Sequence, residues 1–528
     1  MNHVEVLVTG LLLAVAALGA LACRLSVPYP IMLVIGGAAF GFIPGLPEVR
    51  LEPELVLALF LPPLLYKSSI YANFDDFRSN LRGLTLSTVV LVLVTMTGVA
   101  AAAHTMITGM SWQTAFVLGA ILSPTDPVAA ATIMHRLEAP RRLVSSIEGE
   151  GLFNDATALV AYRVAVAATV AGAFSLAEAG LRFVFGVVAG LAIGVAVGLL
   201  SAWVRRHISD PQISVTISLL TGYAAFLPAQ AVDASGVLAT VAAGIVMAIR
   251  SPEVLDARPR LQGYFVWDIV DFLINATLFV MTGLQLRTIV GGLGDYSPGA
   301  LALYALVVTA AVVLIRLAWF FAVPSLTEMV DRGSGRPQRR LSASWRMIMA
   351  WSGMRGAVSL AVALALPLVV GDGSAFPQRD LILFLTFTVI FFTLVVQGLT
   401  LPTLIRRLGP GDDDQDTDEE VRARLFAAKA ALAQIETLDA EEWTRGDTAE
   451  RMRGLYEYRA RRFAARLGKI EDDGYEDRSA AYQEMVRLVL QAQRDALVTM
   501  RREGRLSNEI LNRILRDLDL EESRLEAT

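Results

Sequence analysis

The sequence predicts an all-α polytopic membrane protein with about 13 transmembrane helices and a helical cytoplasmic tail. Of its 528 residues, 54% are hydrophobic and only 18% are charged. The apolar residues form long runs, and about 17 to 25 of them in a row suffice for a helix to cross a bilayer. A soluble domain could not bury so much apolar surface. The single cysteine, Cys23, excludes an intrachain disulfide and any cysteine-based metal site.

The apolar runs predict 13 spans. The first lacks a basic leader and a convincing cleavage site, so we expect it to remain as a span rather than be removed as a signal peptide. The approximate limits of the spans are 4–22, 28–45, 51–71, 83–106, 112–134, 143–173, 179–204, 212–230, 234–250, 264–289, 299–324, 343–370 and 380–405.

The distribution of arginine predicts the orientation of these spans. Connections that follow odd-numbered spans are rich in arginine, whereas those that follow even-numbered spans carry few. By the positive-inside rule, the arginine-rich connections face the cytoplasm. We therefore expect the N-terminus outside and the C-terminus in the cytoplasm, with the protein in the plasma (inner) membrane.

The fifth span is interrupted by the segment Ser123–Pro127, which contains Pro124 and Pro127 on either side of an acid. Two prolines remove two backbone donors and clash with preceding carbonyls, so the helix should unwind. A simple kink would explain the prolines but not the carboxylate, which is costly inside a bilayer. The freed carbonyls, together with Thr125 and Asp126, predict a cation site.

A second break is predicted in the twelfth span, where Gly353 and Gly356 flank Arg355. The two broken spans are an odd number of spans apart, so they run antiparallel. Paired breaks of this kind indicate inverted repeats with two crossing discontinuous helices and a site at the crossing. The exposed helix ends need opposite charges. We expect Asp126 to compensate an N-terminal end and Arg355 to pair with an acid.

The sixth span carries the acids Glu150 and Asp155. Helical spacing places Glu150 and Asn154 on one face, and Gly151 and Asp155 on the adjacent face. Gly151 is expected to leave room for an ion or a water beside Asp155. Two unpaired carboxylates resist joint ionisation. We therefore expect Arg355 to hold Glu150 and to leave Asp155 free; an inert pair of Arg355 with Asp155 is the alternative.

Other charged residues in or near the spans are expected to have structural roles. Arg163 and Arg316 lie within spans, where they would be structural partners or snorkelling residues. Asp233, Asp268 and Asp271 lie near span ends, where solvated or helix-end charges are the rule.

A change of composition after Arg407 predicts two domains, a transmembrane domain over 1–408 and a cytoplasmic helical tail over 409–528. An acidic run begins the tail, and a second helical stretch is expected over 482–525. The tail is either a solvated appendage or a regulatory or dimer-contacting segment.

Five short strings resemble the monovalent cation/proton antiporter family, specifically the sodium/proton exchanger branch of bacterial type. They occur in the family's order, and the resemblance covers roughly residues 5–405. The strings are Val27–Pro30, Phe60–Tyr66, Thr125–Pro127, Asn154–Asp155 and Gly353–Ser359.

The resemblance implies that Asp155 binds either the cation or the proton, with Thr125 and Asp126 at the unwound crossing. These three residues would form the Na+ transport site, supported by Asn154 and by a Glu150–Arg355 ion pair. It further implies a homodimer in which each protomer has a dimerisation subdomain and a mobile core subdomain. An asparagine before the aspartate accompanies electroneutral exchange in such relatives.

The expected function is secondary active exchange of Na+ for H+, with Li+ or K+ as alternative cations and a role in pH regulation. A cation and a proton would compete for Asp155 during alternating access. The protein is expected to be no enzyme, to need no cofactor and to bind no nucleic acid; its partners are the ions, the bilayer and a second copy. A K+/H+ antiporter is the alternative, followed by a cation channel.

Two departures from the family pattern put the preferred ion in question. Gly151 stands where relatives often have a serine whose hydroxyl can contact the ion. Lys67 stands where some relatives carry a glutamate, and a lysine there would weaken cation attraction unless it snorkels away.

Overall fold

The computed structural model describes residues 3–25, 27–43, 53–71, 86–137, 139–171, 176–294, 296–331, 342–371, 373–409, 414–471 and 473–526. The chain forms two compact units, Met1–Gly411 and Asp412–Thr528. Within the described residues the only β-type pairing is one isolated bridge between Val369 and Ala375. The all-α class predicted from the sequence is confirmed.

The first unit consists of helices that we number in chain order. They are α1 His3–Leu25, α2 Tyr29–Gly41, α3 Pro53–Ile70, α4 Leu91–Met106, α5 Trp112–Leu122, α6 Pro127–Arg136, α7 Arg141–Ala171, α8 Leu176–Arg206, α9 Pro211–Ala231, α10 Gly236–Val254, α11 Ala257–Leu284, α12 Leu286–Gly291, α13 Pro298–Asp331, α14 Ala343–Trp351, α15 Ala357–Leu364, α16 Arg379–Phe392 and α17 Gly398–Leu408. Short π-helical turns precede α4 and join α16 to α17.

The described part of this unit contains eight segments that are long and apolar enough to cross a membrane, which confirms a polytopic membrane protein. Three shorter apolar helices lie in α1, α2 and α7. The count of 13 spans stays a prediction. The eight segments are Thr88–Met106, Trp112–Arg136, Val184–Arg206, Pro211–Ala231, Gly236–Val254, Ala257–Met281, Pro298–Val323 and Arg379–Leu408.

Both expected helix breaks are present. The fifth span ends as α5 at Leu122 and resumes as α6 at Pro127, whose ring suits the first position of a helix. The twelfth span ends as α14 at Trp351 and resumes as α15 at Ala357. Each predicted span is therefore two short helices separated by a non-helical segment.

Glycines allow the closest helix packing in this unit. Gly190, Gly194 and Gly198 lie one turn apart on α8, and a Cβ on Gly194 or Gly198 would overlap atoms of α10. Without a hydrophobic driving force in lipid, helices associate through such close backbone contacts. The α8–α10 pair is accordingly among the most extensive helix contacts of the unit.

The second unit consists of α18 Asp414–Asp439, α19 Gly446–Arg466, α20 Tyr475–Arg502 and α21 Asn508–Glu526. α18 packs on α19, and α20 packs on α21. The prediction of one helical stretch over 482–525 is wrong in one respect, because α20 ends at Arg502 and α21 begins at Asn508, with Gly504 between them. That glycine has φ +73°, a left-handed conformation that ends a helix.

Candidate functional site

The two helix breaks contact each other through their backbones. The Asp126 amide donates to the Met354 carbonyl oxygen at 2.8 Å. Each break begins with a serine whose hydroxyl donates back to a carbonyl three residues earlier, Ser123 to Ala120 at 2.9 Å and Ser352 to Met349 at 3.0 Å. The half-helices before the two breaks thus end in the same way, and the hydrogen bond between Asp126 and Met354 joins the two breaks.

Two buried arginines neutralise the C-terminal ends of the half-helices. Arg355 Nε donates to the Leu122 carbonyl at 2.8 Å, at the end of α5. Arg316, on α13, donates through Nη2 to the Met349 carbonyl at 3.0 Å and through Nε to the Ala350 carbonyl at 3.2 Å, near the end of α14. Carbonyls at a helix C-terminus lack intrahelical donors and carry partial negative charge, so cations stabilise both ends.

Asp126 lies at the N-terminal ends of the other two half-helices. Its Oδ1 accepts from the Val128 amide at 2.9 Å and so caps α6. Its Oδ2 packs against Gly356, where any Cβ would overlap the carboxylate, and Gly356 is the N-cap of α15. The positive end of a helix dipole favours a carboxylate at such a place. Asp126 therefore compensates both N-terminal ends.

The ion partner of Glu150 differs from the expected one. Arg316 holds it in a bidentate contact, with Nη1 on Oε1 and Nη2 on Oε2, the latter at 3.1 Å. Both side chains are buried, at 4% and 2% exposure. The described hydrogen bonds of Arg355 instead join its side chain to the Leu122 and Gly353 carbonyls and its amide to Thr393. The predicted Glu150–Arg355 pair is thus replaced, because Arg355 is occupied in neutralising the end of α5.

A chain of hydrogen bonds joins Asn154 to this ion pair. Asn154 Nδ2 donates to Thr125 Oγ1 at 2.6 Å, and Thr125 Oγ1 donates to Glu150 Oε1 at 3.3 Å. Because a carboxylate only accepts, the direction of both bonds and the orientation of the amide are fixed. Asn154 Oδ1 is left buried without a hydrogen-bond partner. This oxygen is therefore available as a ligand.

Asp155 has no hydrogen bond or ion pair within the described part of the chain, although only 9% of the residue is exposed. The charge that acts on it is that of Asp126. A buried carboxylate without a partner needs a proton or a cation to neutralise it. The structure thus brings Thr125, Asp126, Asn154 and Asp155 together and leaves Asp155 available.

Gly151 does not provide an empty slot. A Cβ at this position would lie 2.6 Å from Pro127 Cδ and 2.7 Å from its Cγ. The glycine lets α7 approach the first turn of α6, so the expectation of room for an ion beside it is wrong.

Sequence reasoning missed two contacts. Arg316 was expected to be a structural partner or a snorkelling residue, but Glu150 was not named as its partner; the position of an arginine within an apolar span was the available signal. Lys67 does not snorkel away, since its Nζ lies 3.1 Å from the Oδ2 atom of Asp271, a residue expected at a solvated helix end. Arg163 Nη1 donates to the Ala234 carbonyl at 3.4 Å, in agreement with a structural partner.

Comparison with known proteins identifies a family from a match over nearly all of the first unit. The family model described as sodium/hydrogen exchanger, transmembrane, matches residues 10–407. An uncharacterized Na+/H+ exchanger of Mycobacterium tuberculosis is 37% identical over 524 residues, which are 98% of this chain and 96% of that protein. A sodium, potassium, lithium and rubidium/H+ antiporter of Bacillus subtilis is 35% identical over 394 residues, which are 72% of this chain and 58% of that protein.

A solved structure has the same fold. The sodium proton antiporter structure from Methanocaldococcus jannaschii, determined at pH 8, superimposes with a TM-score of 0.61. The match covers 77% of this chain and 99% of that one, at 17% sequence identity.

Proposed function

Because this chain belongs to the sodium/hydrogen exchanger family, we propose that it exchanges Na+ for H+ in an electroneutral one-for-one cycle. The observation that carries the proposal is the unpartnered Asp155 carboxylate beside Asp126 at the crossing of the broken helices. Asn154 is neutral and engaged with Thr125, and Asp126 compensates two helix N-termini, so Asp155 is left to carry one charge per cycle.

The mechanism follows from what neutralises Asp155. A sodium ion would bind the Asp155 carboxylate, with the Asn154 Oδ1 atom and Asp126 supplying further oxygens. A proton on Asp155 removes the charge that holds the ion. If the core moves only when this carboxylate is neutral, each cation that leaves is replaced by one proton, and the two fluxes are coupled.

Fixed charge pairs keep the geometry of the site while the site opens alternately to the two sides of the membrane. Arg316 with Glu150, and Arg355 with the end of α5, fix the charges that the mechanism does not move. In this proposal the core subdomain contains both broken spans and α7, and it moves against a dimerisation subdomain within a homodimer. The protein would lie in the plasma membrane, with its N-terminus outside and its C-terminal unit in the cytoplasm. Its exchange activity would contribute to pH regulation.

K+ and Li+ are the alternative cations. The relative from Bacillus subtilis is named for sodium, potassium, lithium and rubidium. Gly151, packed on Pro127, provides no hydroxyl ligand, which leaves the site with fewer protein oxygens to select among cations of different size.

Proteoliposomes loaded with a pH-sensitive dye test the proposal. Addition of Na+ outside should drive proton movement with the wild-type protein, and Asp155→Asn should abolish it. Asp256→Asn is the matched control, because Asp256 is an exposed residue at a helix start whose side chain makes no cap hydrogen bond. Substantial exchange by Asp155→Asn would overturn the assignment. A rate that changes when a potassium/valinomycin clamp sets the voltage would overturn electroneutrality.

A further inference from the structure

A lysine of α3 holds two aspartates of α11. Lys67 Nζ donates to Asp271 Oδ2 at 3.1 Å and lies 3.7 Å from Asp268 Oδ1. The side chains of Lys67 and Asp271 are 24% and 18% exposed, so this pair is partly shielded from solvent. Salt screens such a pair much less than it screens one on an open surface. The interaction therefore acts at physiological ionic strength.

The second oxygen of Asp271 is already engaged. Asn275 Nδ2 donates to Asp271 Oδ1 at 2.9 Å, and Asn275 is buried one turn along α11. The carboxylate is thus held in place from one side, while Lys67 occupies the other. A cation that approached Oδ2 would meet the ammonium group of Lys67 at the same oxygen.

The pair lies near the transport site. Tyr29, on α2, is close enough to both Asp271 and Asp126 for both charges to act on it. Its ring packs edge-on against that of Phe272 with centroids 5.3 Å apart. Tyr29 therefore contacts the residue next to Asp271 and lies within electrostatic range of both Asp271 and Asp126.

Lys67 also influences the helix that carries Asp155. Its charge acts on Glu148 of α7, whose Oε1 lies 3.8 Å from His135 Nε2 on α6. The ammonium group thus acts on three carboxylates, those of Asp268, Asp271 and Glu148, and the His135 imidazole lies beside the last of them. Lys67 therefore partly cancels the negative charge of the carboxylates that α7 and α11 place around it.

We propose that Lys67 is a tethered cation that competes with the transported cation for Asp271, and so sets the cation concentration at which exchange becomes fast. An ammonium group and an alkali cation carry the same charge and need the same carboxylate oxygen. While Lys67 occupies Asp271, a transported cation does not gain that carboxylate oxygen. This inference rests on the proposed cation/proton exchange, in which Lys67 would set the apparent affinity for the cation.

The size of the effect follows from the charge. When a positive charge a few ångströms from a carboxylate is removed, the carboxylate attracts a cation more strongly. Because the Lys67–Asp271 pair is partly exposed, solvent screening reduces this gain. We expect Lys67→Gln to lower the apparent KM for Na+ by roughly three- to tenfold, with the maximal rate little changed. Lys67→Arg keeps the charge and should keep the wild-type KM.

The test is a double-variant cycle on the full chain in proteoliposomes, with initial rates measured over a range of Na+ concentrations at fixed pH. Asp271→Asn alone should raise the KM, because it removes the carboxylate for which the cation and Lys67 compete. Lys67→Gln should then have little effect on the KM in the Asp271→Asn background. Arg250→Gln is the control, since Arg250 pairs with Glu253 on an exposed helix surface.

The outcomes separate this inference from the proposed function. If Lys67→Gln leaves the KM unchanged or raises it while the protein stays monodisperse, the competition is refuted although exchange persists. An equal fall of the KM with and without Asp271 would refute the role of Asp271. Absence of exchange in the wild-type protein would instead refute the proposed function itself.

Discussion

At the scale of single residues, the fold assigns a different task to each buried charge at the crossing. Arg355 and Arg316 neutralise the ends of α5 and α14, and Arg316 also holds Glu150. Asp126 neutralises the ends of α6 and α15. Asp155 has no such partner in the part of the chain that the structure describes. The division explains how one carboxylate can change its ligand while its charged neighbours keep theirs.

The pairing of Glu150 with Arg316 can be tested by stability. Arg316→Met leaves a buried carboxylate without its cation, a loss that costs about 3–5 kcal/mol in comparable buried pairs. We expect a marked fall in the melting temperature of the purified protein. Because Glu150→Gln removes the unpaired charge, the double variant Glu150→Gln with Arg316→Met should recover much of that loss.

Arg355→Met supplies the matched comparison. The described hydrogen bonds of the Arg355 side chain are with backbone carbonyls, so Glu150→Gln should not restore the stability of Arg355→Met. The pairing of Glu150 with Arg316 would be contradicted if Glu150→Gln restored the stability of Arg355→Met but not that of Arg316→Met.

At the scale of the elements, α6 and α7 must approach closely for Asp155 to reach the crossing. Gly151 makes this possible, because Pro127 occupies the space that a side chain would need. Gly151→Ala should therefore push α7 away from α6, lower the melting temperature and slow exchange, with a cost of about 1–3 kcal/mol.

Gly299→Ala is a suitable control for that variant. Gly299 lies in the first turn of α13, and no atom lies within 4 Å of the position that its Cβ would take, so alanine should be tolerated there. Equal stability and exchange rates for Gly151→Ala and the wild-type protein would show that the α6–α7 contact is not tight.

The elements also show what local sequence can predict. Prolines and glycines located both breaks, since their effects on a helix are local. The partner of Glu150 is 166 residues away on α13, and that of Lys67 is 204 residues away on α11. Which of several intramembrane arginines meets Glu150 depends on how helices pack, and no local pattern contains that information.

At the scale of the whole molecule, the site residues all belong to the first compact unit, and the unit Asp412–Thr528 has its own small core around Val421, Leu425 and Phe463. The domain boundary that composition predicts, between residues 408 and 409, stays a prediction. We expect a chain that ends at Gly411 to retain cation-dependent proton exchange in proteoliposomes, with a maximal rate similar to that of the full chain. Complete loss of exchange by a monodisperse truncated protein would show that the tail is required.

The central claim is that one carboxylate, that of Asp155, binds either the cation or the proton. The most direct test is the apparent KM for Na+ as a function of pH in proteoliposomes. Competition for one site predicts that, on the acid side, the KM rises about tenfold for each unit that the pH falls, while the maximal rate at saturating Na+ is unchanged. A KM that is independent of pH, with only the maximal rate falling in acid, would contradict the claim.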